Sequence, residues 1–231
     1  MWKYVPFFSF LQDMVENNYV GEIIIIDNDR ENRPDLETLK DQKISVLEQT
    51  ENIYVNPAWN LGVKHAKFDN ICLYGDDLVF DLRVFKKMLP HISPLRGVYG
   101  ICPGNVELGQ KPMENGNIDI EYAGEPYHYK SHFGYGMLMF LHKSNWIEIP
   151  QELKLYWGDN FIFDTQYCMM RQNYFITNTL HHTPFAATVS KIAEHGEMLN
   201  RESEAYGRIM PELIRNLIVE NQYRTGLPTP A

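Results

Sequence analysis

The chain has 231 residues, 44% hydrophobic and 22% charged, which is the composition of a soluble globular protein with a substantial core. Its formal net charge of −9 argues against general nucleic-acid binding, because such surfaces need clustered basic side chains to replace counterions. No apolar run is long enough for a membrane span, and the start lacks the basic and apolar regions of a signal peptide. Three widely spaced cysteines predict buried thiols in a reducing compartment, so we expect a cytoplasmic protein.

The start of the chain alternates between helical and strand patterns. Apolar residues at helical spacing predict a helix over residues 5–18. Four consecutive isoleucines, 23–26, predict a parallel strand buried on both faces, and Asp27 ends this strand. Residues 44–47 and 53–55 are predicted to form two further short strands. Asp27 is either an ordinary loop-starting residue or a hydrogen-bond acceptor for a nucleotide base or ribose.

A second helix is predicted over residues 58–67. Asn56 and Pro57 form a typical helix start, with Asn56 as the cap and Pro57 at the first helical position. Gly62 inside this helix costs about 1 kcal/mol relative to Ala. We therefore expect another part of the chain to pack closely against Gly62.

The most informative stretch is a buried strand that runs directly into two acidic residues. Residues 71–75 are apolar and end in Gly, and Asp76 and Asp77 follow at once. Ligands bind outside the carboxyl ends of strands in open α/β sheets. Two carboxylates there can hold Mg²⁺ or Mn²⁺ against a phosphate-bearing ligand, although Asp is also common in ordinary turns. A helix over 81–88 follows, and this alternation predicts right-handed parallel units.

The second half of the chain mixes apolar strands with irregular stretches. Residues 103–117 are rich in Gly, Pro and Asn without any period, and we interpret them as an acceptor-side loop region or a simple surface loop. Asp159 lies at the start of a helical pattern, where it is either a helix cap or a functional carboxylate. The other elements predicted here are strands at 97–102, 118–123, 137–141, 174–176 and 179–182, a helix at 161–170, and a helix or helix pair at 201–223.

The order of these motifs resembles that of family 2-type glycosyltransferases of the GT-A fold. The resemblance covers residues 21–164, and its motifs are the isoleucine strand ending at Asp27, Asn60-Leu61-Gly62-Val63 with Ala66, the strand before Asp76-Asp77, and Gly158-Asp159 opening a helix. It implies an α/β fold with a Rossmann-like, mostly parallel central sheet flanked by helices and a small antiparallel acceptor-side portion.

The resemblance also implies a division of one domain spanning residues 1–231. The nucleotide-sugar-binding half would be residues 1–96, and the acceptor-side half would be residues 97–185. A C-terminal helical segment would occupy residues 186–231.

Site residues follow from the resemblance, one position at a time. Asp27 would contact the nucleotide base, with Asn28, Asn60 and Asp76 as further donor-binding residues. Asp76 and Asp77 stand at the family's Asp-x-Asp metal motif, with Asp77 as the direct ligand and His182 completing the metal site. Asp159 stands in the acidic motif that supplies the catalytic base of inverting members, and Asp164 is the next candidate for that role.

Three positions depart from the family pattern. The chain begins at Trp2-Lys3-Tyr4, so the first nucleotide-binding strand is expected to be missing or shortened. Tyr74 stands where a first Asp of the metal motif often lies, which leaves only the adjacent pair. Asn160 occupies a position that is often acidic, so Asp159 alone must serve as the base.

The resemblance implies a metal-dependent, inverting glycosyltransferase that uses Mn²⁺ or Mg²⁺. Its donor would be a nucleotide-diphosphate-sugar, with a UDP-sugar favoured, and its acceptor a glycan or another hydroxyl-bearing molecule. Assembly into a homo-oligomer is compatible with this prediction. Two alternatives stay open: a non-catalytic nucleotide-sugar-binding module, and a nucleotidyltransferase on a related sheet. The second should carry a Gly-rich basic phosphate loop after its first strand, and residues 27–30 do not form one.

Overall fold

The computed structural model describes residues 5–29, 31, 41–101, 106–108, 118–123, 135–177, 181–183 and 195–225. Its helices are α1 (Val5–Glu16), α2 (Val55–His65), α3 (Arg83–Met88), α4 (Gly158–Cys168) and α5 (Gly196–Thr225). Its strands are β1 (Ile23–Asp27), β2 (Ile44–Glu48), β3 (Asn70–Tyr74), β4 (Val79–Phe80), β5 (Tyr99–Ile101), β6 (Val106–Leu108), β7 (Asp119–Tyr122), β8 (Leu138–His142), β9 (Tyr174–Thr177) and β10 (His181–Thr183).

The central sheet has five strands in the order β3-β8-β5-β9-β7. Strand β8 runs antiparallel to both of its neighbours, and β5 and β9 are parallel to each other. Strands β3, β5 and β9 therefore point the same way, and their C-terminal ends meet the N-terminal end of β8. We call this side of the sheet the carboxyl edge.

Two smaller sheets accompany the central one. Strands β1 and β2 pair in parallel, with Ile23 opposite Ile44 and Asp27 opposite Glu48. Strand β10 pairs antiparallel with β4 and parallel with β6. The pairing with β4 brings the backbone of residues 181–182 alongside the chain that follows the acidic pair.

The central sheet is buried on both faces, and β8 shows why. Successive side chains of a strand point to opposite faces. Leu138 and Phe140 belong to one hydrophobic cluster, which also contains the buried faces of α1 and α3. Met139 and Leu141 belong to a second cluster, which contains residues of α2, α4 and α5. The protein thus has helices on both faces of a sheet, which is the layered arrangement that an α/β sequence predicts.

The α/β fold class is confirmed, and so are most of the predicted elements. The β1–β2 pair is parallel as expected. The central sheet, however, is mixed rather than mostly parallel, because β8 is inserted antiparallel between β3 and β5. The apolar run that forms β8 looks the same in either direction, since a strand buried on both faces has no polar side to reveal its pairing.

Three local predictions around α2 are wrong. Residues 53–55 do not form a strand, because Tyr54 has a positive φ of 66° and precedes the helix, which begins at Val55. Asn56 is therefore inside the first turn and does not cap it. No close packing surrounds Gly62, since a Cβ atom there would have nothing within 4 Å.

Several expectations fall on residues that lie outside the described ranges, among them Cys102 and most of the irregular stretch at 103–117. The part of this stretch that the structure describes, residues 106–108, forms the strand β6. Burial raises the pKa of the other two thiols, that of Cys168 to about 11, in line with unreactive cysteines. Within the described ranges, no helix has the length and apolar character needed to cross a membrane.

Candidate active site

The candidate site lies at the carboxyl edge, where a short 3-10 turn, Tyr135–Met137, leads into β8. The carbonyl oxygen of Met137 accepts a hydrogen bond from the Gly75 N–H at 3.3 Å. The N–H of Gly136 donates to Asp159 Oδ2 at 3.1 Å. One turn therefore contacts both the segment that carries Asp76-Asp77 and the carboxylate of Asp159. Two acidic sites far apart in sequence are brought to the same edge of the sheet.

The 3-10 turn is itself fixed by the buried ring of Tyr135. The single Tyr135 hydroxyl proton is shared between the carbonyl oxygens of Val98 at 2.9 Å and Tyr174 at 3.2 Å. A Cβ atom at Gly100 would come within 2.7 Å of the same ring, so a glycine in β5 makes room for it. Because the ring is anchored to the central sheet, the N–H of Gly136 has a defined direction towards Asp159.

Asp76 and Asp77 occupy the two central positions of a β-turn. The Leu78 N–H donates to the Gly75 carbonyl oxygen at 3.1 Å, which closes the turn directly after β3. A Cβ atom at Gly75 would lie 2.8 Å from Asp77 Oδ1, so the glycine lets this carboxylate fold back over the turn. Both side chains are half-buried. Burial raises the pKa of Asp76 above its ordinary value.

The residues at this turn suit a divalent cation that a phosphate group helps to bind. Among the described side chains, no group of three or more His, Cys, Asp and Glu residues could hold a metal ion without further ligands. Mg²⁺ and related cations usually bind one or two carboxylates together with substrate phosphates. The half-buried pair Asp76-Asp77 provides this oxygen donor set.

The backbone of His182 pairs with the strand that follows this turn. It is paired in β10 opposite Val79 of β4, which follows Asp77 by two residues. The side chain of His182 lies outside the described part of the structure. Its contribution to a metal site stays a prediction.

Asp159 is the second residue of α4, and its carboxylate is held by two backbone N–H groups. Oδ1 accepts from Asn160 at 3.0 Å and Oδ2 accepts from Gly136. Burial raises the pKa of Asp159 above its usual value, and these N–H donors partly offset the effect. The residue in the cap position is Trp157, which makes no side-chain capping bond. A half-buried, oriented carboxylate of this kind can accept a proton from a substrate hydroxyl.

Asp164, the next candidate base, lies elsewhere. Its Oδ2 atom accepts a hydrogen bond from the Tyr206 hydroxyl of α5, and the carboxyl group is buried between α4 and α5. Burial raises its pKa to about 6. The contacts of the 3-10 turn do not include it.

The three other predicted donor-binding residues make contacts within the protein. Asp27 is fully buried at the end of β1, and its Oδ1 atom accepts from the Asp29 N–H at 3.1 Å. The amide of Asn28 bonds the backbone of the segment before α2, with Ile53 N–H as donor and the Tyr54 carbonyl as acceptor. Asp27 and Asn28 lie at the C-terminal end of β1, and their roles in donor binding stay predictions.

Asn60 binds one residue of a distant loop. Its amide nitrogen donates to the Ile149 carbonyl at 2.9 Å, and its amide oxygen accepts from the Ile149 N–H at 2.9 Å. The structure thus gives Asn60 the task of fastening α2 to the chain before α4. A donor contact for Asn60 stays a prediction.

A mixed α/β sheet with acidic residues collected at its carboxyl edge fits the GT-A class of glycosyltransferase folds. The chain belongs to Glycosyl transferase family 2, whose model matches residues 10–176. That membership favours this class over the nucleotidyltransferase alternative. No curated protein sequence matches the chain.

Two solved structures are similar to the chain at low sequence identity, and the first of them shows the same fold. The mannosyltransferase PcManGT from Pyrobaculum calidifontis, in complex with GDP-Man and Mn²⁺, has a TM-score of 0.54 and 12% identity, with 100% of this chain and 74% of that chain covered. GalNAc-T7, with UDP, GalNAc and Mn²⁺, has a TM-score of 0.48 and 11% identity, and the match covers 71% of this chain. The chain spans only 38% of the length of that GalNAc-T7 chain.

Two features of the site were not predicted from the sequence, the Gly136 contact with Asp159 and the role of Glu202. The first had a visible signal, because a glycine at a strand end often marks a close approach of another part of the chain. A Cβ atom at Gly136 would in fact lie 2.7 Å from Asp159 Cβ. Glu202 of α5, whose carboxylate binds the chain just before α4, carried no signal, since an acidic residue on an amphipathic helix is usually exposed.

Proposed function

We propose that the protein transfers a sugar from a nucleotide-diphosphate-sugar to an acceptor hydroxyl, with inversion at the anomeric carbon. In this proposal Asp76 and Asp77 bind a divalent cation and the donor, and Asp159 is the general base. The observation that carries it is the turn at Tyr135–Met137, which contacts the acidic turn through Met137 and Asp159 through Gly136. Glycosyl transfer needs two separate acidic sites beside one another, and this turn joins them.

The donor side of the proposal rests on the chemistry of the acidic turn. A diphosphate leaving group carries concentrated negative charge, and a bound Mn²⁺ or Mg²⁺ supplies Lewis-acid stabilisation of that charge. Asp77 would be the direct ligand, and Asp76 would reach the ribose or a water on the metal. PcManGT binds GDP-Man and Mn²⁺, and we extend a nucleotide-sugar donor and a divalent cation to this chain. A UDP-sugar is the donor expected from the sequence.

The acceptor side rests on Asp159. Its carboxylate is oriented by two N–H groups on neighbouring segments, so it has a defined position before any substrate binds. Burial raises its pKa, which strengthens it as a base relative to an ordinary Asp. An acceptor hydroxyl placed between this carboxylate and the donor would lose its proton to Asp159 as the new glycosidic bond forms.

The test is Asp159→Asn, with transfer rate and donor affinity measured on the same protein preparation. The amide keeps the shape of the side chain but cannot take a proton, so kcat should fall about 10²–10⁴-fold while donor affinity is retained. Asp164→Asn is the matched change on the same helix and should leave the rate near that of the wild type. A normal rate in Asp159→Asn would refute the base assignment. An absence of transfer in the wild-type protein, with donor binding intact, would instead support a binding module.

A further inference from the structure

The segment just before Asp159 is held by a buried carboxylate from the C-terminal helix. Glu202 of α5 is only 3% exposed. Its Oε2 atom accepts from the Tyr156 N–H at 2.7 Å and from the Leu155 N–H at 3.1 Å. The N–H groups of two consecutive residues, which lie just before α4, thus donate to the same side chain.

Asn56 of α2 holds the same segment from the other side. Its amide nitrogen donates to the carbonyl oxygens of Leu153 and Tyr156, both at 3.1 Å. The backbone of Tyr156 is therefore bound at both of its polar groups, the N–H by Glu202 and the carbonyl by Asn56. We call Glu202 and Asn56 the α4 clamp.

The residue between the clamp and the base has an unusual conformation that needs such support. Trp157 is left-handed, with φ of 63°, a region that non-glycine residues seldom adopt. Its indole stacks on Tyr206 of α5 with 4.9 Å between ring centroids, and its Nε1–H donates to Ser203 Oγ at 3.0 Å. Gly158 follows, and a Cβ atom there would lie 2.0 Å from Asn56 Oδ1. The path from Tyr156 to Asp159 is consequently fixed at every residue.

We infer that Glu202 is a positioning residue for glycosyl transfer, which acts by fixing the backbone that aims Asp159. This inference rests on the proposed function of Asp159. Without the Glu202 carboxylate, two partly buried N–H groups lose their acceptor, and the chain rearranges to satisfy them. Such a rearrangement changes the entry into α4 and moves Asp159 relative to the N–H of Gly136. Misplacement of a reacting group by about 1 Å can cost about 10²-fold in rate.

The first test compares kcat with donor KM for substitutions at Glu202. Glu202→Ala should lower kcat about 10- to 100-fold with little change in donor KM, because the acidic turn is untouched. Glu202→Gln should recover most of kcat, since its amide oxygen can replace Oε2 as acceptor for both N–H groups. Met210→Ala, which removes a buried side chain of α5 from the core, is the control for lost stability. Rates are measured well below the melting temperature of each variant.

These outcomes decide whether Glu202 acts on the rate or only on stability. Glu202→Ala with the kcat of Met210→Ala would overturn the inference, because both would then only loosen α5. Equal impairment in Glu202→Gln and Glu202→Ala would overturn the hydrogen-bond explanation. If Glu202→Ala fails to fold, Glu202→Asp is measured instead, because the shorter side chain of Asp moves the carboxylate away from the two N–H groups. A full rate in that variant would also overturn the inference.

A double-mutant cycle separates this inference from the proposed function. If Glu202 acts through Asp159, Glu202→Ala should cause no further loss of kcat in an Asp159→Asn background. The same fold-loss in both backgrounds would refute a link between the two residues. A normal rate in the single variant Asp159→Asn would refute the proposed base. This result does not depend on any change at Glu202, so the two failures can be told apart.

Discussion

Gly136 offers a direct test of the contact between the 3-10 turn and the proposed base. A Cβ atom at this position would lie 2.7 Å from Asp159 Cβ and 2.9 Å from Oδ2. Nonbonded carbon atoms prefer separations of about 3.5–4.0 Å, so the Asp159 side chain must retreat by about 1 Å to admit a methyl group. Gly136 does not have a left-handed φ, so Gly136→Ala acts through this contact and not through backbone strain.

The size of the effect follows from that displacement. A shift of about 1 Å from a productive geometry costs on the order of 10²-fold in rate, or about 2.7 kcal/mol in the barrier. Overpacking also lowers the free energy of unfolding, typically by about 1–3 kcal/mol. Small domains have about 5–15 kcal/mol of stability, so most Gly136→Ala molecules should stay folded at ambient temperature.

The assay measures kcat at saturating donor and acceptor, with donor affinity from calorimetry. Gly136→Ala should lose about 10²-fold in kcat and keep its donor affinity. Gly62→Ala is the control, because a Cβ at Gly62 has nothing within 4 Å. Ala is favoured over Gly inside a helix by up to about 1 kcal/mol, so this control should be fully active and at least as stable. A fully active Gly136→Ala protein would refute the idea that this contact positions the base.

Three further predictions concern ionisation and metal binding. Because burial raises the pKa of Asp159 and only its ionised form accepts a proton, the transfer rate should fall on acidification through a pKa above 3.8, and Asp159→Asn should lack this limb. Burial raises the pKa of Asp164 from 3.8 to about 6, so the folded protein favours the neutral carboxyl group. The resulting contribution to the free energy of unfolding is complete below the unfolded pKa and is lost as the pH rises through about 6. In urea unfolding near pH 8, the free energy of unfolding of Asp164→Asn should thus exceed that of the wild type by up to about 3 kcal/mol. A difference between the two proteins that stays constant across pH would contradict this. Asp77→Ala should weaken nucleotide-sugar binding when Mn²⁺ is present but not when a chelator has removed it. If the wild-type protein binds the donor equally well with and without chelator, a metal at this turn is excluded.

The sequence was sufficient to predict the elements that carry the acidic residues. An apolar run that ends in Gly and two Asp residues predicts a buried strand and a turn, and β3 with the turn at Asp76-Asp77 confirms it. A helix over residues 161–170 was predicted in the same way, from a helical period that follows an acidic residue, and α4 begins three residues earlier, at Gly158. Both patterns are local, and local patterns decide where strands and helices begin.

Features that depend on distant contacts could not be predicted. Asn56 looks like a helix cap in sequence, yet its amide binds carbonyl groups about a hundred residues later in the chain. The same holds for the direction of β8, whose partners are set by tertiary packing. Glu202 was missed because the groups that donate to its carboxylate are peptide N–H groups, and peptide groups leave no mark in a sequence.

The pairing of β8 with β3 also has a consequence for how the protein acquires activity. Ile71 pairs with Leu141, so the sheet that bears the site is closed by contacts between segments far apart in sequence. Closing such contacts is entropically costly and slows folding. A slip of one residue in this pairing would turn every side chain of β8 to the opposite face. It would also change which residues of the 3-10 turn meet Gly75 and Asp159. Regained enzymatic activity therefore reports the correct strand register during refolding, whereas circular dichroism reports only that strands have formed.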